Sequence, residues 1–311
     1  MRVFAVVLNW NDLESTRRCL RSLRDSRSAV AVVVVDNGST DGSPAAIARE
    51  FPEVELLALS ENRGFCGGCN AGAARALERG AEALFFLNND AWVDPHFLAP
   101  LVRELERDAT IGAVGSLVLF ASDPARVWCL GGRLRFRENV SELGSFGRPA
   151  SELGSAPIDC DYLPGCALLV RAELFRGLRG FDESYFAYME DVDFGVRARA
   201  AGARLRAVPA SKVFHAPSSA TGGGYSRGRK YANALNSVRF LRRHGSALRW
   251  LAFMIFDVLA LPIVWAAAAL RGGDPGAVAA KARGLWDGLR GRQLDGAALA
   301  RWRGGAEEKP G

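Results

Sequence analysis

Apolar and polar positions follow two different rhythms along the first ninety residues. Residues 3–8 and 30–35 are short, Val-rich runs without polar interruption, the pattern of a strand covered on both faces. Between them Leu13, Thr16, Leu20 and Leu23 recur three or four positions apart, which predicts a helix with Asn11 or Asp12 as its cap. Ser43-Pro44 predicts a second helix start, with Ser as cap and Pro as first helical residue. Residues 54–59 predict a third strand, 71–79 a third helix closed by Gly80, and 83–87 a fourth strand. Short right-handed crossovers in this β-α-β-α-β-α-β order require a parallel sheet with helices on both faces. Loops at the C-terminal strand ends then form the ligand crevice.

The rhythm loosens after Asp90. Residues 95–107 predict a helix and 113–120 a strand, whereas 121–157 are rich in Gly and Ser with weak periodicity. Order returns at 162–170, followed by an acidic and aromatic run at 181–194 and a helix to Ala201. Farther on, residues 250–270 are apolar with a single charge, Asp257, and one Pro. About 20 apolar residues suffice to cross a bilayer. Yet a carboxylate near the middle of a span costs at least about 2.5–3.5 kcal/mol, and Lys/Arg flank both ends, so no orientation follows. The expectation is membrane contact, re-entrant or interfacial, with a buried C-terminal helical hairpin as the alternative.

Composition narrows the class. The chain has 311 residues, 49% hydrophobic and 24% charged, which excludes a disordered, collagen-like or disulfide-rich secreted protein. Residues 1–8 begin as a core strand rather than a charged-then-apolar leader, an expectation against secretion. Of six Cys, Cys66 and Cys69 form a lone C-x-x-C with no second pair at zinc spacing, so reduced structural thiols of a cytosolic protein are expected.

Charge changes the picture further. The net charge is +6 with pI about 9.2. Residues 1–222 carry 25 basic and 28 acidic side chains, while 223–249 carry seven basic and no acidic ones. Basicity placed directly before the apolar stretch suits an anionic membrane surface and argues against nucleic acid.

Four polar features fall at the predicted C-terminal sheet edge. Asn9 ends strand one. Asp36-Asn37-Gly38 ends strand two, where a carboxylate can accept from a base N–H or a ribose and Gly lets the backbone turn. The run Asn62-Arg63-Gly64-Phe65-Cys66-Gly67-Gly68 opens helix three and offers backbone N–H groups suited to a diphosphate. Asn88-Asn89-Asp90 ends strand four, where one or two oxygens can hold Mg²⁺ or Mn²⁺ while substrate phosphates complete the shell. The later run 181–194 packs acids among aromatics, the setting of a general base with a raised pKa.

Taken together and in order, these segments resemble a family 2 glycosyltransferase of the GT-A fold, most of all its bacterial rhamnosyltransferase-like branch. The resemblance rests on VVLNWN, VVDNGSTDGS, ENRGFCGGCNAG, FLNND, GCALLVRAELF, GFDESYFAYMEDVDFGVRARAAG and VFHAPSS. It implies an α/β fold, a Rossmann-like mostly parallel sheet with flanking helices, plus a C-terminal helical, membrane-associating segment. Residues 1–222 would be the transferase domain, with 1–90 binding the nucleotide and 91–222 the acceptor, and 223–311 the basic and apolar helical region.

By the same resemblance the reaction is an inverting transfer from a nucleotide-diphospho-sugar, rhamnose among the candidates, to a hydroxyl of a glycan or lipid-linked acceptor. Asp36 would bind the nucleobase edge, with Asn9, Asn37, Gly64, Phe65, Asn88 and Asn89 around the nucleotide-sugar. Asp90 and His215 would ligate Mg²⁺ or Mn²⁺, Asp191 would be the general base, and Tyr188 and Glu190 would face the acceptor. The implied location is the inner face of the cell membrane, peripherally attached from the cytoplasm. One departure from the family pattern is Leu235, which stands where relatives carry Arg before Asn236.

Three rivals are weighed against particular residues. A sugar-nucleotide pyrophosphorylase would place a Gly-rich, basic loop after strand one, where this chain has Asn9-Trp10-Asn11-Asp12-Leu13-Glu14. A processive synthase would carry Gln-x-x-Arg-Trp, but Ser246 and Ala298 precede the two Arg-Trp pairs. A non-catalytic binding module would lack Asp90 or Asp191, and both are present.

Overall fold

Strand β1 (Val3–Asn9) is buried along nearly its whole length, because the Val-rich run is covered on both faces. The computed structural model describes residues 1–137, 139–216, 226–270 and 273–302. They form two units, one comprising Met1–Arg133, Leu143–Glu183 and Glu190–Ala216. The other comprises Leu134–Glu142, Ser184–Met189 and the described residues from 226 onward. The expected domain boundary at 222 and residues 217–219 of the VFHAPSS motif lie outside the described residues.

In the first unit, β1 leads into α1 (Leu13–Arg24), capped by Asp12, whose side chain accepts from Ser15 N. Thr16, Cys19, Leu20 and Leu23 form its buried stripe. Next come β2 (Ala31–Asp36), α2 (Ser43–Glu50) and β3 (Glu55–Ala58). Gly42, in the left-handed region at φ 81°, takes the cap position of α2 that was expected of Ser43. Ser43 is instead the first helical residue, its N–H donating to Asp41 Oδ1 at 3.0 Å.

Helix α3 (Gly64–Glu78) begins seven residues earlier than the pattern predicted. Its Gly-rich first half looks like loop in sequence, since Gly is a poor helix former. Packing overrides propensity here: a Cβ on Gly72 would stand 2.6 Å from Val6 Cγ1 and 2.7 Å from Val35 Cγ2, and one on Gly68 would overlap Leu8. Only a helix without side chains on this stripe can lie so close to β1 and β2.

Strands β4 (Ala83–Asn88) and β5 (Ala91–Val93), helix α4 (Leu98–Arg107), and strands β6 (Ile111–Phe120) and β7 (Val127–Cys129) follow. Strands β8 (Gly132–Arg137) and β9 (Asn139–Leu143), which form a two-stranded sheet, belong mostly to the second unit, and the short β10 (Ile158–Asp159) follows in the first. Strand β11 (Ala167–Arg171), α5 (Ala172–Gly177), α6 (Glu190–Ala200) and β12 (Arg204–His215) complete the unit.

The main sheet runs β10-β12-β6-β11-β4-β1-β2-β3. Strands β3, β2, β1 and β4 are mutually parallel, as expected, with Asn9 opposite Asp36 and Leu8 opposite Asn88. Beyond β4 the sheet is mixed: β11 runs antiparallel to both β4 and β6, while β12 is parallel to β6. No helical crossover leads into β11, which enters from the Gly- and Ser-rich excursion, so the rule that forces parallel pairing does not act on it.

In the second unit, α7 (Arg227–His244) is capped by Ser226 and packs on α10 (Pro275–Leu289). A Cβ on Gly288 would lie 2.8 Å from Leu235 O, so this approach too depends on glycine. Tyr231 Oη donates to Asp287 at 2.9 Å across the pair. Between these helices run α8 (Ala247–Phe253), a π-helical turn (Met254–Leu259) and α9 (Leu261–Leu270), with α11 (Gly296–Ala300) last. Ala247–Ala267 is, among the described residues, the one helical run long and apolar enough to cross a membrane. Packing of α7 on α10 resembles the expected hairpin, but the apolar run is not its buried element: Leu248 is 78% and Ile263 74% exposed.

Candidate functional site

The parallel register brings the polar strand ends of β1, β2 and β4 into one row. Asn9, fully buried, donates from Nδ2 to Asp36 Oδ2 at 2.7 Å and to Ser39 Oγ at 3.2 Å. Asp36 is 1% exposed, and its Oδ1 accepts from Ser39 N at 2.9 Å. Each carboxylate oxygen thus carries one bond and keeps one lone pair for a further donor.

Thr16, which the sequence offered only as a core position of α1, is a hub of this row. Its Oγ1 lies 2.8 Å from Asn9 Oδ1 and accepts from Asn89 Nδ2 at 3.1 Å. Asn89 is thereby turned toward α1. Asn88 keeps its Oδ1 without a hydrogen-bond partner among the described residues.

Asn37 is a clasp. Its Nδ2 donates to Gly64 O and to Asn62 Oδ1, both at 3.0 Å, and its Oδ1 accepts from Arg63 N at 3.0 Å. These bonds fix the entry to α3. Gly64, at φ 72°, turns the chain there, and Phe65 follows at the helix start.

Gly165, which the sequence reading did not single out, joins this entry to the acidic run. A Cβ on Gly165 would meet the Phe65 ring at 3.2 Å and Asp191 Cβ at 3.9 Å. Its N–H donates to Asp191 Oδ2 at 3.2 Å. The adjacent Cys166 O accepts from Asn88 N, so β4, this turn and α6 meet at one place. Asp191 is the second residue of α6, where the helix N-terminus favours a carboxylate.

The neighbours of Asp191 divide sharply. Asp193 is fully buried and paired with Arg197 Nε at 2.6 Å, a structural contact. Glu190, expected on the acceptor side, is buried inside the first unit. Burial, and then the charge of Asp191, push its carboxyl well above the usual range. Tyr188, the other acceptor-side candidate, belongs to the second unit, where its carbonyl accepts from Asn236 Nδ2 at 2.9 Å. Leu235, at the position of the missing Arg, is fully buried in that unit's core.

Asp90 and His215 come together although 125 residues separate them in sequence. His215 ends β12 opposite Ala91, and Ala216 N donates to Asp90 O. His215 Nε2 lies 3.2 Å from Asp90 Oδ1, with the imidazole edge-on to Trp128 at 4.6 Å between ring centres. Two ligands at right angles on Mg²⁺ or Mn²⁺, each about 2.1 Å away, would sit about 3 Å apart, so one nitrogen and one oxygen at this spacing fit such an ion. No cluster of three or more His, Cys, Asp and Glu is gathered among the described residues, so further ligands of such an ion would be substrate oxygens and water. All six Cys are free thiols, five of them buried, in keeping with reduced structural cysteines.

Residues 4–162, half of the chain, match the model of Glycosyl transferase family 2, and residues 84–275 match Glycosyl transferase family group 2. The chain belongs to glycosyl transferase family 2. A relative of this glycosyltransferase is the N-acetylglucosaminyl-diphospho-decaprenol L-rhamnosyltransferase of Mycobacterium tuberculosis, 30% identical over 212 residues that cover 62% of this chain and 68% of the relative. Among solved structures it resembles the mannosyltransferase PcManGT of Pyrobaculum calidifontis, in complex with GDP-Man and Mn²⁺. That match has a TM-score of 0.55 at 20% identity and covers 97% of this chain and 86% of the other. GalNAc-T7, with UDP, GalNAc and Mn²⁺, matches with a TM-score of 0.62 at 17% identity over 78% of this chain, which spans about half of GalNAc-T7. These likenesses establish the GT-A type of fold for this family 2 glycosyltransferase.

Proposed function

We propose that the protein moves a sugar, with rhamnose the first candidate, from a nucleotide-diphospho-sugar to a hydroxyl of a lipid-linked or glycan acceptor, inverting the anomeric centre. The observation that carries this reading is Gly165, whose missing side chain lets Phe65 of the α3 entry and Asp191 approach the same turn. The named activity of the mycobacterial relative supports the sugar and the lipid-linked acceptor.

In this reading the lone pairs left on Asp36 accept from the nucleobase edge, and the α3 entry, held by Asn37, packs the nucleoside beside Phe65. Asp191 accepts the proton of the acceptor hydroxyl as its oxygen bonds to the anomeric carbon. The bond from that carbon to the diphosphate oxygen breaks on the opposite face, so the nucleoside diphosphate leaves with the electron pair. Asp90 and His215 would hold a divalent cation, which when bound supplies positive charge against the leaving diphosphate. The Gly165 N–H donates to Asp191 Oδ2 at 3.2 Å and the Val192 N–H to its Oδ1 at 2.8 Å, which orients the carboxylate that would accept the proton. Residues 1–222 would perform this chemistry, and the basic and apolar remainder would hold the enzyme peripherally on the inner leaflet of the cell membrane.

A thermal-shift panel of nucleotide-sugars with and without Mn²⁺ tests the donor class, since a ligand that binds the native state raises Tm. A shift with a deoxythymidine- or uridine-diphospho-sugar that grows with Mn²⁺ is expected. No shift with any member of the panel would refute the reading.

A further inference from the structure

We propose that the helical run 247–270 lies in the plane of an anionic bilayer leaflet, seated by the face that carries Leu248, Leu251, Ile255, Leu259 and Ile263, and does not cross the membrane. This rests on the peripheral reading above and specifies its geometry.

The polarity of this run is inverted relative to a helix on a soluble protein. Its only charge between residues 250 and 270, Asp257, is 2% exposed and accepts from Lys281 Nζ of α10 at 2.6 Å. Phe253, one turn earlier, is equally buried. The opposite face is open and wholly apolar: Leu251 is 57% exposed, Leu259 68% and Ile263 74%. Spacings of three and four residues place Leu248, Leu251, Ile255, Leu259 and Ile263 on one side. In a plain α-helix every four-residue step drifts forward, and the wider π turn at Met254–Leu259 offsets that drift.

The same ion pair argues against crossing. If the run spanned the bilayer, Asp257 would sit near its centre, and Lys281 with it. Helix α10 also carries Asp287, which accepts from both Arg283 Nε and Tyr231 Oη, so a polar helix pair would be drawn to hydrocarbon depth. Lying flat, the run meets lipid only with its apolar face. The surface it meets is anionic by charge complementarity, because residues 227–249 hold seven Lys/Arg and no acid.

The test uses the full chain. Co-sedimentation with phosphatidylcholine vesicles containing phosphatidylglycerol should be about tenfold stronger than with phosphatidylcholine alone. Ile255→Glu and Ile263→Glu should each cut the bound fraction severely while nucleotide-sugar thermal shifts persist, which shows that the variants fold. Ala247→Cys marks the start of the run and Gly273→Cys lies just past its end, and the native thiols are buried or half-buried. In sealed inside-out membranes an impermeant maleimide should label both sites, and in right-side-out membranes neither. Labelling of Gly273→Cys from the opposite side to Ala247→Cys would overturn the in-plane geometry while leaving membrane attachment intact. Absence of vesicle binding, or a dimer dissolved by Ile263→Glu, would overturn the attachment itself. Undiminished vesicle binding by both Glu variants would overturn the assigned face.

Discussion

His215 Nε2 faces Asp90 Oδ1 at 3.2 Å, joining the last residue of β12 to the turn after β4. Neither residue is close to the other in sequence. Their meeting depends on β12 pairing with β5, which places His215 opposite Ala91.

If this pair holds a divalent cation, removal of metal by a chelator should abolish transfer, and Mn²⁺ or Mg²⁺ should restore it. Asp90→Ala should lose activity yet unfold at a temperature near that of the wild type. Full turnover in excess EDTA would refute the assignment.

Asp191→Asn should lower kcat by about 10²–10⁴-fold with little change in the donor KM, as expected for a lost general base. Asp193→Asn should behave differently, because Asp193 serves Arg197, which also donates to Leu178 O and Gly180 O. That variant should lose about 1–3 kcal/mol of stability, seen in denaturant titrations, and keep most of its kcat. The reverse pattern would exchange the two roles.

Glu190 sets a pH dependence of stability. Burial raises its native pKa above the value of 4.5 that an exposed Glu has. The native state therefore holds a proton that the unfolded chain releases, and stability falls as pH rises above about 4.5 toward the raised native value. Glu190→Gln removes the titrating group while preserving its shape. Its Tm should match the wild type at low pH and exceed it increasingly toward pH 8, by scanning calorimetry across pH.

Asn236 offers a fourth test. Its Nδ2 lies 2.8–2.9 Å from the carbonyls of Tyr185, Ala187 and Tyr188, and Phe186, Tyr188 and Met189 all have positive φ. Such backbone persists in non-glycine residues only when surrounding bonds over-determine it. Asn236→Ala should cost about 1–3 kcal/mol and raise amide exchange in residues 185–189, measured by hydrogen exchange.

The parallel half of the sheet was legible in the sequence because strands covered on both faces and amphipathic helices write period and polarity directly. The polar strand ends followed from it: Asn9, Asp36 and Asn88 had to share an edge once β1, β2 and β4 ran parallel. The start of α3 was hidden, since the glycines that make close packing on Val6 and Val35 possible also signal a loop. Thr16 was visible only as a core position, because its partners Asn9 and Asn89 are named by the fold. Gly165 was visible only as the first residue of the GCALLVRAELF motif, for its importance lies in what a side chain would displace, and Phe65 is a hundred residues away. The direction of β11 was equally out of reach, as the segment before it carries weak periodicity.

If the donor nucleoside sits beside the α3 entry as proposed, the clasp at Asn37 bears on how it is bound. Four groups of the loop before α3 are bonded to Asn37 or Asn62 without any ligand, including the Gly64 N–H, which donates to Asn62 Oδ1 at 2.8 Å. A ledge that is already rigid loses little conformational entropy when a nucleoside settles on it. More of the contact energy then remains as affinity, and association is not slowed by a loop that must first find its shape.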